Sequence, residues 1–147
     1  AAVLGSASLE VFGQVPIKQL RADTLRKLNL RGGGLGPTEG IVLAKLVEVS
    51  SVLTELNIGD NPLGEDGVRF LAASLESNTA LKKLDLHNQY GNEEFKIGPS
   101  GAKFVAKMLA VNSALTSLNL WNNRICDEGE VLLRDAVKTK PGFLLQM

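Results

Sequence analysis

Few residues in this chain could do chemistry. His87 is the only histidine and Cys126 the only cysteine, and no set of Cys, His and carboxylate residues with metal-ligand spacing surrounds His87. We therefore expect no catalytic or metal-binding role for His87, and we expect Cys126 to be a small buried filler between a strand and a helix. No acid–base pair, Ser-His-Asp arrangement or cofactor motif emerges. The sequence thus predicts a protein that is not an enzyme and holds no cofactor.

The glycine run at 32–34 is the other segment with a chemical interpretation. The stretch RGGGLGPTEG looks like a phosphate-binding loop that leads into a helix, but it lacks the Lys-Ser/Thr ending that a P-loop needs. We interpret the glycines as a tight strand-to-helix turn.

Composition narrows the class of partner. The 16 basic residues balance 16 acidic ones, whereas nucleic-acid binders usually carry a basic excess. No apolar run approaches the ~20 residues of a membrane span. A single cysteine cannot form an internal disulfide, which favours an intracellular location in the cytoplasm or an organelle interior. We expect no nucleic-acid partner and no membrane insertion.

The chain repeats itself. Four segments share the frame L-x-x-L-x-L and begin at Leu25, Leu53, Leu81 and Leu115, which are 28, 28 and 34 residues apart. Each is followed by an apolar residue, a glycine-containing segment and then an amphipathic stretch. Self-similarity at such a period is the signature of stacked units.

The two halves of each unit have different periods. The Leu-x-Leu part alternates at period two, as a half-buried strand does. The later part places apolar residues three or four apart, as at Val68, Leu71 and Leu75, which indicates a helix. A unit this short cannot bury its own apolar face. We therefore predict an α/β fold, a right-handed curved solenoid with a parallel sheet of about five or six strands on the concave side and helices on the convex side.

These motifs resemble leucine-rich repeats of the ribonuclease-inhibitor-like subclass. The resemblance implies a single domain over residues 1–147, with a degenerate first unit at 1–24, repeats at 25–52, 53–80, 81–114 and 115–142, and a closing strand at 143–147. Val15 to Ile17 are the candidate strand of the first unit. Membership of such a family fixes the fold better than the function.

The frame expects an asparagine three residues after its last leucine, where it caps backbone groups at the turn. Asn61 and Asn123 hold this position. The first repeat has Gly33 instead, and the third has Gln89, for which Asn88 can substitute after a shift of one residue.

The third repeat carries six extra residues between Leu86 and Ile97, because its period is 34 rather than 28. Tyr90 and Phe95 lie on this insertion. One interpretation is a tolerated surface loop, since loop length costs little. The other is a part of a binding face, to which insertions in repeat proteins often map. Phe95 can equally pin the loop to the array.

The residues between the leucines face the concave side of such a solenoid. One column of them contains Arg31, Gly59, His87 and Trp121, so Trp121 should lie beside His87 at one strand spacing, about 4.8 Å. Trp121 is the only tryptophan. Its ring either packs on His87 or the closing strand, or serves as an exposed anchor for a partner, as aromatic residues do at interfaces.

The sequence therefore predicts a protein–protein interaction module that binds a partner protein through the concave face and the strand-to-helix loops. The predicted contact residues are Asp85, His87, Tyr90, Phe95, Asn119, Trp121, Asn122 and Arg124. One alternative is a structural subunit or fragment of a large assembly, held through its helical outer face or its exposed ends, where apolar residues near the N-terminus (Val3, Leu4, Leu9 and Phe12) would pack on more chain. A second, less favoured, is a regulator of a small GTPase, as the similar repeats of Ran GTPase-activating proteins imply.

Overall fold

A computed structural model describes residues 2–88, 93 and 96–147. Short strands alternate with helices along most of the chain. The helices are α1 (Ala2–Gly5), α2 (Ile17–Arg21), α3 (Pro37–Val49), α4 (Gly64–Leu75), α5 (Gly98–Val111) and α6 (Cys126–Val137). The strands are β1 (Lys27–Asn29), β2 (Glu55–Asn57), β3 (Lys83–Asp85), β4 (Ser117–Asn119) and β5 (Leu144–Gln146).

The five strands form one parallel sheet in the order of the sequence. Lys27 pairs with Glu55, Glu55 with Lys83, Lys83 with Ser117 and Ser117 with Leu144. This register confirms the alignment of the repeat frames, since residues at the same place in each frame lie side by side. Each connection between neighbouring strands contains one of the helices α3 to α6, as parallel strands require.

The core lies between the sheet and the helices. The middle leucine of each inner strand points into it, and Leu56, Leu84 and Leu118 are buried. Leu28 and Leu145 hold the same position in the two edge strands and are only half-buried. The alternation continues in β5, where Leu144 and Gln146 are exposed on the opposite side. The strands thus have one apolar face and one polar face, as predicted.

The turn asparagines join consecutive repeats. The buried Asn61 donates from Nδ2 to the carbonyl oxygens of Leu30, Ile58 and Gly59, and its Oδ1 accepts from the backbone N–H of Leu35. Two of these partners, Leu30 and Leu35, belong to the preceding repeat. Asn123 makes the equivalent bonds to Leu86 and Ile97. The predicted capping role is confirmed.

These backward bonds explain the glycine run in the first repeat. No leucine frame precedes this repeat, so its turn has no earlier strand end for an asparagine to bind. Gly33 fills the asparagine position, and Gly32 and Gly34 adopt φ values of 63° and 73°, a left-handed conformation that glycine reaches without steric cost. The interpretation of this run as a tight turn is confirmed.

A second pair of asparagines, which the sequence reasoning missed, lies at the opposite edge of the sheet. Asn78 donates to the carbonyl oxygens of Val47 and Ser50 and accepts from the N–H of Ala80 and Leu81. Asn112 makes the equivalent bonds one repeat later: it donates to the carbonyl oxygens of Leu75 and Asn78 and accepts from the N–H of Ala114 and Leu115. The signal was present, because both asparagines stand three residues before a frame leucine.

The prediction of a strand at Val15 to Ile17 is wrong. Val15 forms an isolated antiparallel bridge with Phe12, and helix α2 begins at Ile17. The physical reason is Pro16, which has no N–H to donate to a ladder and holds φ at −79°.

Most of the apolar residues of the first unit pack on this chain, although Val11 is exposed. Val15 and Ile17 are fully buried in the core. The residues on which the assembly alternative rested are partly buried against the same core, namely Val3, Leu4, Leu9 and Phe12.

Candidate functional site

The polar face of the sheet is recessed. A groove of about 440 Å³ runs over it, lined by residues of all five strands. We call this surface, formed by the first and third residues of each strand, the sheet face. The groove makes it concave, as the predicted solenoid requires.

The first column of the sheet face is a charge ladder. Glu55 lies between two lysines, and its Oε1 is 3.2 Å from Lys27 Nζ and 3.3 Å from Lys83 Nζ. The hydrogen bond from Lys27 holds the pKa of Glu55 below its ordinary value, although burial opposes the shift, and Lys83 adds to it. Ser117 and Leu144 continue the column without charge.

The second column consists of side chains that cap the ends of their own strands. Asn29, Asn57, Asp85 and Asn119 each accept, at Oδ1, a bond of 3.0–3.1 Å from the backbone N–H two residues later. Asp85 and Asn119 were predicted as contact residues, and the register places them side by side. One oxygen of each is therefore structural, and only the rest of the side chain is open to the groove.

The third column begins where the strands end, and a buried carboxylate lies beneath it. Asp60 Oδ2 is 2.7 Å from Arg31 Nε and 3.7 Å from His87 Nε2, and the Asp60 side chain is only 2% exposed. His87 Nδ1 lies 2.6 Å from Asp85 Oδ1. Gly59 makes room for this arrangement, because a Cβ there would lie 2.8 Å from His87 Nδ1.

The sequence reasoning missed Asp60. A signal existed in the column itself: Gly59 is the one member without a side chain, so Arg31 and His87 can converge beside it. Only 13% of the His87 side chain is exposed. His87 mainly contacts Asp60 and Asp85 and offers little surface to a partner.

Trp121 is half exposed, with 50% of its surface open to solvent. Together with His87, Asn119 and Gln146 it lines a pocket of about 200 Å³. Its carbonyl oxygen accepts from the N–H of Asn88 at 3.0 Å, so the backbone ladder runs on past the strands and places Trp121 beside His87, as predicted. Half of the Trp121 surface is thus open to solvent, while the residue also lies beside His87 and beside Gln146 of the closing strand.

Gln146 also lines this pocket, and sequence reasoning did not select it. The register identifies it, since Asn119 pairs with Gln146. The closing strand β5 continues the columns of the sheet face, so Gln146 extends the second column after Asn119.

Asn122 and Arg124 lie on the turn after β4, both with positive φ, 60° and 51°. Asn122 Nδ2 donates to the carbonyl oxygen of Asn88 at 2.8 Å, and the exposed Arg124 forms an ion pair with Glu93. These bonds tie the turn to the third repeat. Tyr90 and Phe95, the two predicted contact residues on the insertion, lie outside the described residues.

The prediction that Cys126 is buried is wrong, because its side chain is exposed. Cys126 is the first residue of α6 and has a φ of 54°. The first residues of α4 and α5 are Gly64 and Gly98, with φ values of 64° and 68°.

Two features that would indicate other functions were sought within residues 2–88, 93 and 96–147. No group of three or more His, Cys, Asp and Glu residues in that part of the chain could hold a metal ion. No helix formed by those residues combines the length and the hydropathy needed to cross a bilayer.

Comparisons with known proteins agree with this architecture. A family model described as Leucine Rich repeat matches residues 49–72. Among solved structures, the chain is similar to one described as leiomodin-1 actin-binding site 2 (ABS2), with a TM-score of 0.79 and 16% identity over 92% of this chain and 78% of that one. None of the curated proteins compared with the chain matches it. At this identity the structural likeness shows the fold alone, and with the family match over residues 49–72 it supports one conclusion: the chain has a leucine-rich repeat fold.

Proposed function

We propose that this chain is a protein–protein interaction module and that the sheet face, with the Trp121 pocket at its edge, is the contact surface. The observation that carries the proposal is the exposure of Trp121. A tryptophan half open to solvent leaves apolar surface in contact with water, and tryptophan is one of the residue types that dominate the binding energy of protein interfaces.

The surroundings of Trp121 support a preformed site. The ring stands on a parallel sheet whose turns are held by asparagine bonds between repeats. A partner that docks on such a surface loses little conformational entropy in ordering it, which favours affinity. The sheet face supplies polar groups around the aromatic ring, an arrangement common at interfaces.

The proposed contact residues are those predicted from the sequence, Asp85, His87, Tyr90, Phe95, Asn119, Trp121, Asn122 and Arg124, with Gln146 added. Their share in binding is unequal. Among the members that the structure describes, Trp121 and Arg124 are exposed, whereas His87 is mostly covered.

A protein is the class of partner we favour. The similar solved chain is described as an actin-binding site, so a fold of this kind can bind a protein. We further propose the ribonuclease-inhibitor-like subclass, on the 28-residue spacing with a full helix in each repeat, and an intracellular location, on the single cysteine. The domain boundaries given above also stand as a proposal, as does the absence of enzymatic activity.

The test is quantitative affinity capture with tagged wild-type protein and Trp121→Ala. Aromatic hot spots cost about 2 kcal/mol or more on truncation, and ~1.4 kcal/mol is a factor of ten, so we expect captured partner to fall at least tenfold. The circular dichroism and melting of the variant should match the wild type, because Trp121 is half exposed and does not belong to the described hydrophobic core. Val131→Ala is the matched control, since Val131 is an exposed apolar residue on α6. Equal capture by wild type and Trp121→Ala would refute the site.

A further inference from the structure

The second column of the sheet face presents an uneven set of polar groups to the groove. In Asn29, Asn57, Asp85 and Asn119, Oδ1 already accepts a bond from the backbone N–H two residues later. What remains is an Nδ2 donor on each of the three asparagines and the Oδ2 acceptor of Asp85. A partner that crosses the strands therefore meets one charged acceptor in a row of donors.

Asp85 lies diagonally next to Trp121. Its register partner Asn119 lines both the groove over the sheet face and the Trp121 pocket. Two residues along the neighbouring strand, at ~3.3 Å per residue and ~4.8 Å between strands, place the two Cα atoms about 8 Å apart. A long side chain of a partner can reach from the indole ring to the carboxylate.

The charged side chains around Trp121 and Asp85 favour the binding of a cation between them. No lysine or arginine is among the described residues that line the Trp121 pocket. Lys83, on the same strand as Asp85, is directed to Glu55 at 3.3 Å. Arg31 is paired with the buried Asp60, and His87 lies between Asp60 and Asp85. An exposed tryptophan face beside a carboxylate is the usual setting for a cation–π contact.

We propose that Asp85 and Trp121 together receive an arginine or lysine side chain of the protein partner. The cationic group stacks on the indole ring and donates to Asp85 Oδ2, while its aliphatic stem crosses Asn119. This inference rests on the proposed function, and it adds the chemistry of the group that the partner supplies.

The test uses the indole N–H signal of Trp121, which is unique because the chain has one tryptophan. The probes are N-acetyl-L-arginine amide and its uncharged isostere N-acetyl-L-citrulline amide, titrated into the full chain and followed by ¹⁵N–¹H NMR. We expect a saturable shift with the arginine probe at millimolar concentration and an affinity at least fivefold lower with the citrulline probe.

Asp85→Asn is the decisive variant. Asparagine stands at this position in the other three repeat frames, and its Oδ1 can keep the bond to the N–H of His87, so the fold should hold. We expect the variant to lose the difference between the two probes. Asp66→Asn, which makes the same change at an exposed carboxylate of helix α4, should leave binding at Trp121 unchanged.

Three results would overturn the proposal: no saturable shift with the arginine probe, equal shifts with both probes, or a wild-type response from Asp85→Asn. Its failure is distinguishable from failure of the proposed function. If partner capture is lost in Trp121→Ala but unchanged in Asp85→Asn, the cationic contact is refuted and the protein-binding role stands. If capture survives both changes, the proposed site itself is wrong.

Discussion

At the scale of single residues, the first position of helices α4, α5 and α6 is governed by a left-handed backbone conformation. Gly64 and Gly98 have positive φ there, and Cys126 takes the same conformation with a side chain. The sequence reasoning placed Cys126 in the core because it stands between a strand and a helix. The glycines at the same position in the two preceding repeats were the better guide. They indicate that this position needs a left-handed backbone conformation, and they do not indicate burial.

We predict that Gly98→Ala destabilises the fold. Nothing lies within 4 Å of a Cβ built at Gly98, so the cost is conformational. A left-handed L-residue costs ~1–2 kcal/mol, and the loss of chain freedom in the unfolded state offsets ~0.4–1 kcal/mol of it. Urea unfolding should show a net loss of about 1 kcal/mol.

Gly98→Asn is the matched control for this prediction, because asparagine tolerates the left-handed region better than alanine. It should lose less stability than the alanine variant. Equal stability of wild type and Gly98→Ala would show that the positive φ of 68° is not a constraint on this helix start.

At the scale of elements, polar side chains join each repeat to the one before it. Asn61 and Asn123 do so after the strands, Asn78 and Asn112 after the helices. The first pair could be predicted because the frame itself marks its position. The second pair was missed because its position lies outside the leucine frame, where Ser50 stands in the earlier repeat.

Asp23 makes the corresponding link between the first unit and the first full repeat. Its carboxylate accepts bonds from Ser50 Oγ at 2.6 Å and from the N–H of Ser51 at 2.9 Å, as well as from Ser51 Oγ. The bond from Ser50, followed by the two from Ser51, lowers the pKa of Asp23 from 3.8 to about 2.

This pKa makes the link sensitive to acid. A carboxylate whose pKa is lower in the folded state contributes stability that is fully present above its unfolded pKa. That contribution is lost as the pH falls through the folded value of about 2. We predict that Asp23→Asn, which cannot titrate and tolerates the φ of 50°, is less stable than wild type at pH 6.

The difference between wild type and Asp23→Asn should shrink as the pH is lowered, because protonated aspartic acid no longer has the advantage of a charge. Urea unfolding midpoints at pH 6, pH 4 and pH 2.5 measure it. A difference that stays constant over this range would contradict the assigned role of Asp23.

At the scale of the whole molecule, the last helix differs from the inner ones. Each inner helix has two buried positions, four residues apart, that hold small or apolar residues and face the next helix. Ala102 of α5 is an example, because a Cβ built on Gly129 of α6 would lie 3.1 Å from its Cβ. In α3, α4 and α5 these pairs are Gly40 and Ala44, Val68 and Ala72, and Ala102 and Ala106. In α6 they are Glu130 and Arg134, whose charged groups lie 3.6 Å apart.

A polar outer face is typical of the terminal helix of a repeat array. We predict that the double variant Glu130→Ala, Arg134→Ala self-associates more strongly than wild type, because it presents the small-residue face with which inner helices pack. An exposed i,i+4 ion pair contributes only ~0.3–0.5 kcal/mol, so stability should hardly change. Size-exclusion chromatography with light scattering measures the association.

The mass of the double variant should rise with concentration. Glu128→Ala with Lys138→Ala, a charge-neutral change at other exposed positions of the same helix region, is the control. A concentration-independent mass equal to that of wild type would show that these charges do not limit association.

The repeat architecture could be predicted almost entirely, because periodic leucines fix both the strand register and the helix faces. The first unit could not, since Val15 and Ile17 have a strand-like alternation that Pro16 interrupts. The candidate site was found in part: the columns located Asp85, Asn119 and Trp121, whereas Asp60 depends on a turn residue that no periodicity marks. Whether the Trp121 ring is exposed depends on three-dimensional packing, which the sequence left open.

The central claim is that a protein partner covers Trp121. The most direct measurement is ¹⁹F NMR of the chain labelled with 5-fluorotryptophan, which gives one resonance because Trp121 is the only tryptophan. Addition of the captured, unlabelled partner should shift this resonance and protect it from a soluble paramagnetic quencher. An unchanged shift and unchanged quenching in the presence of a partner that demonstrably binds the chain would contradict the account.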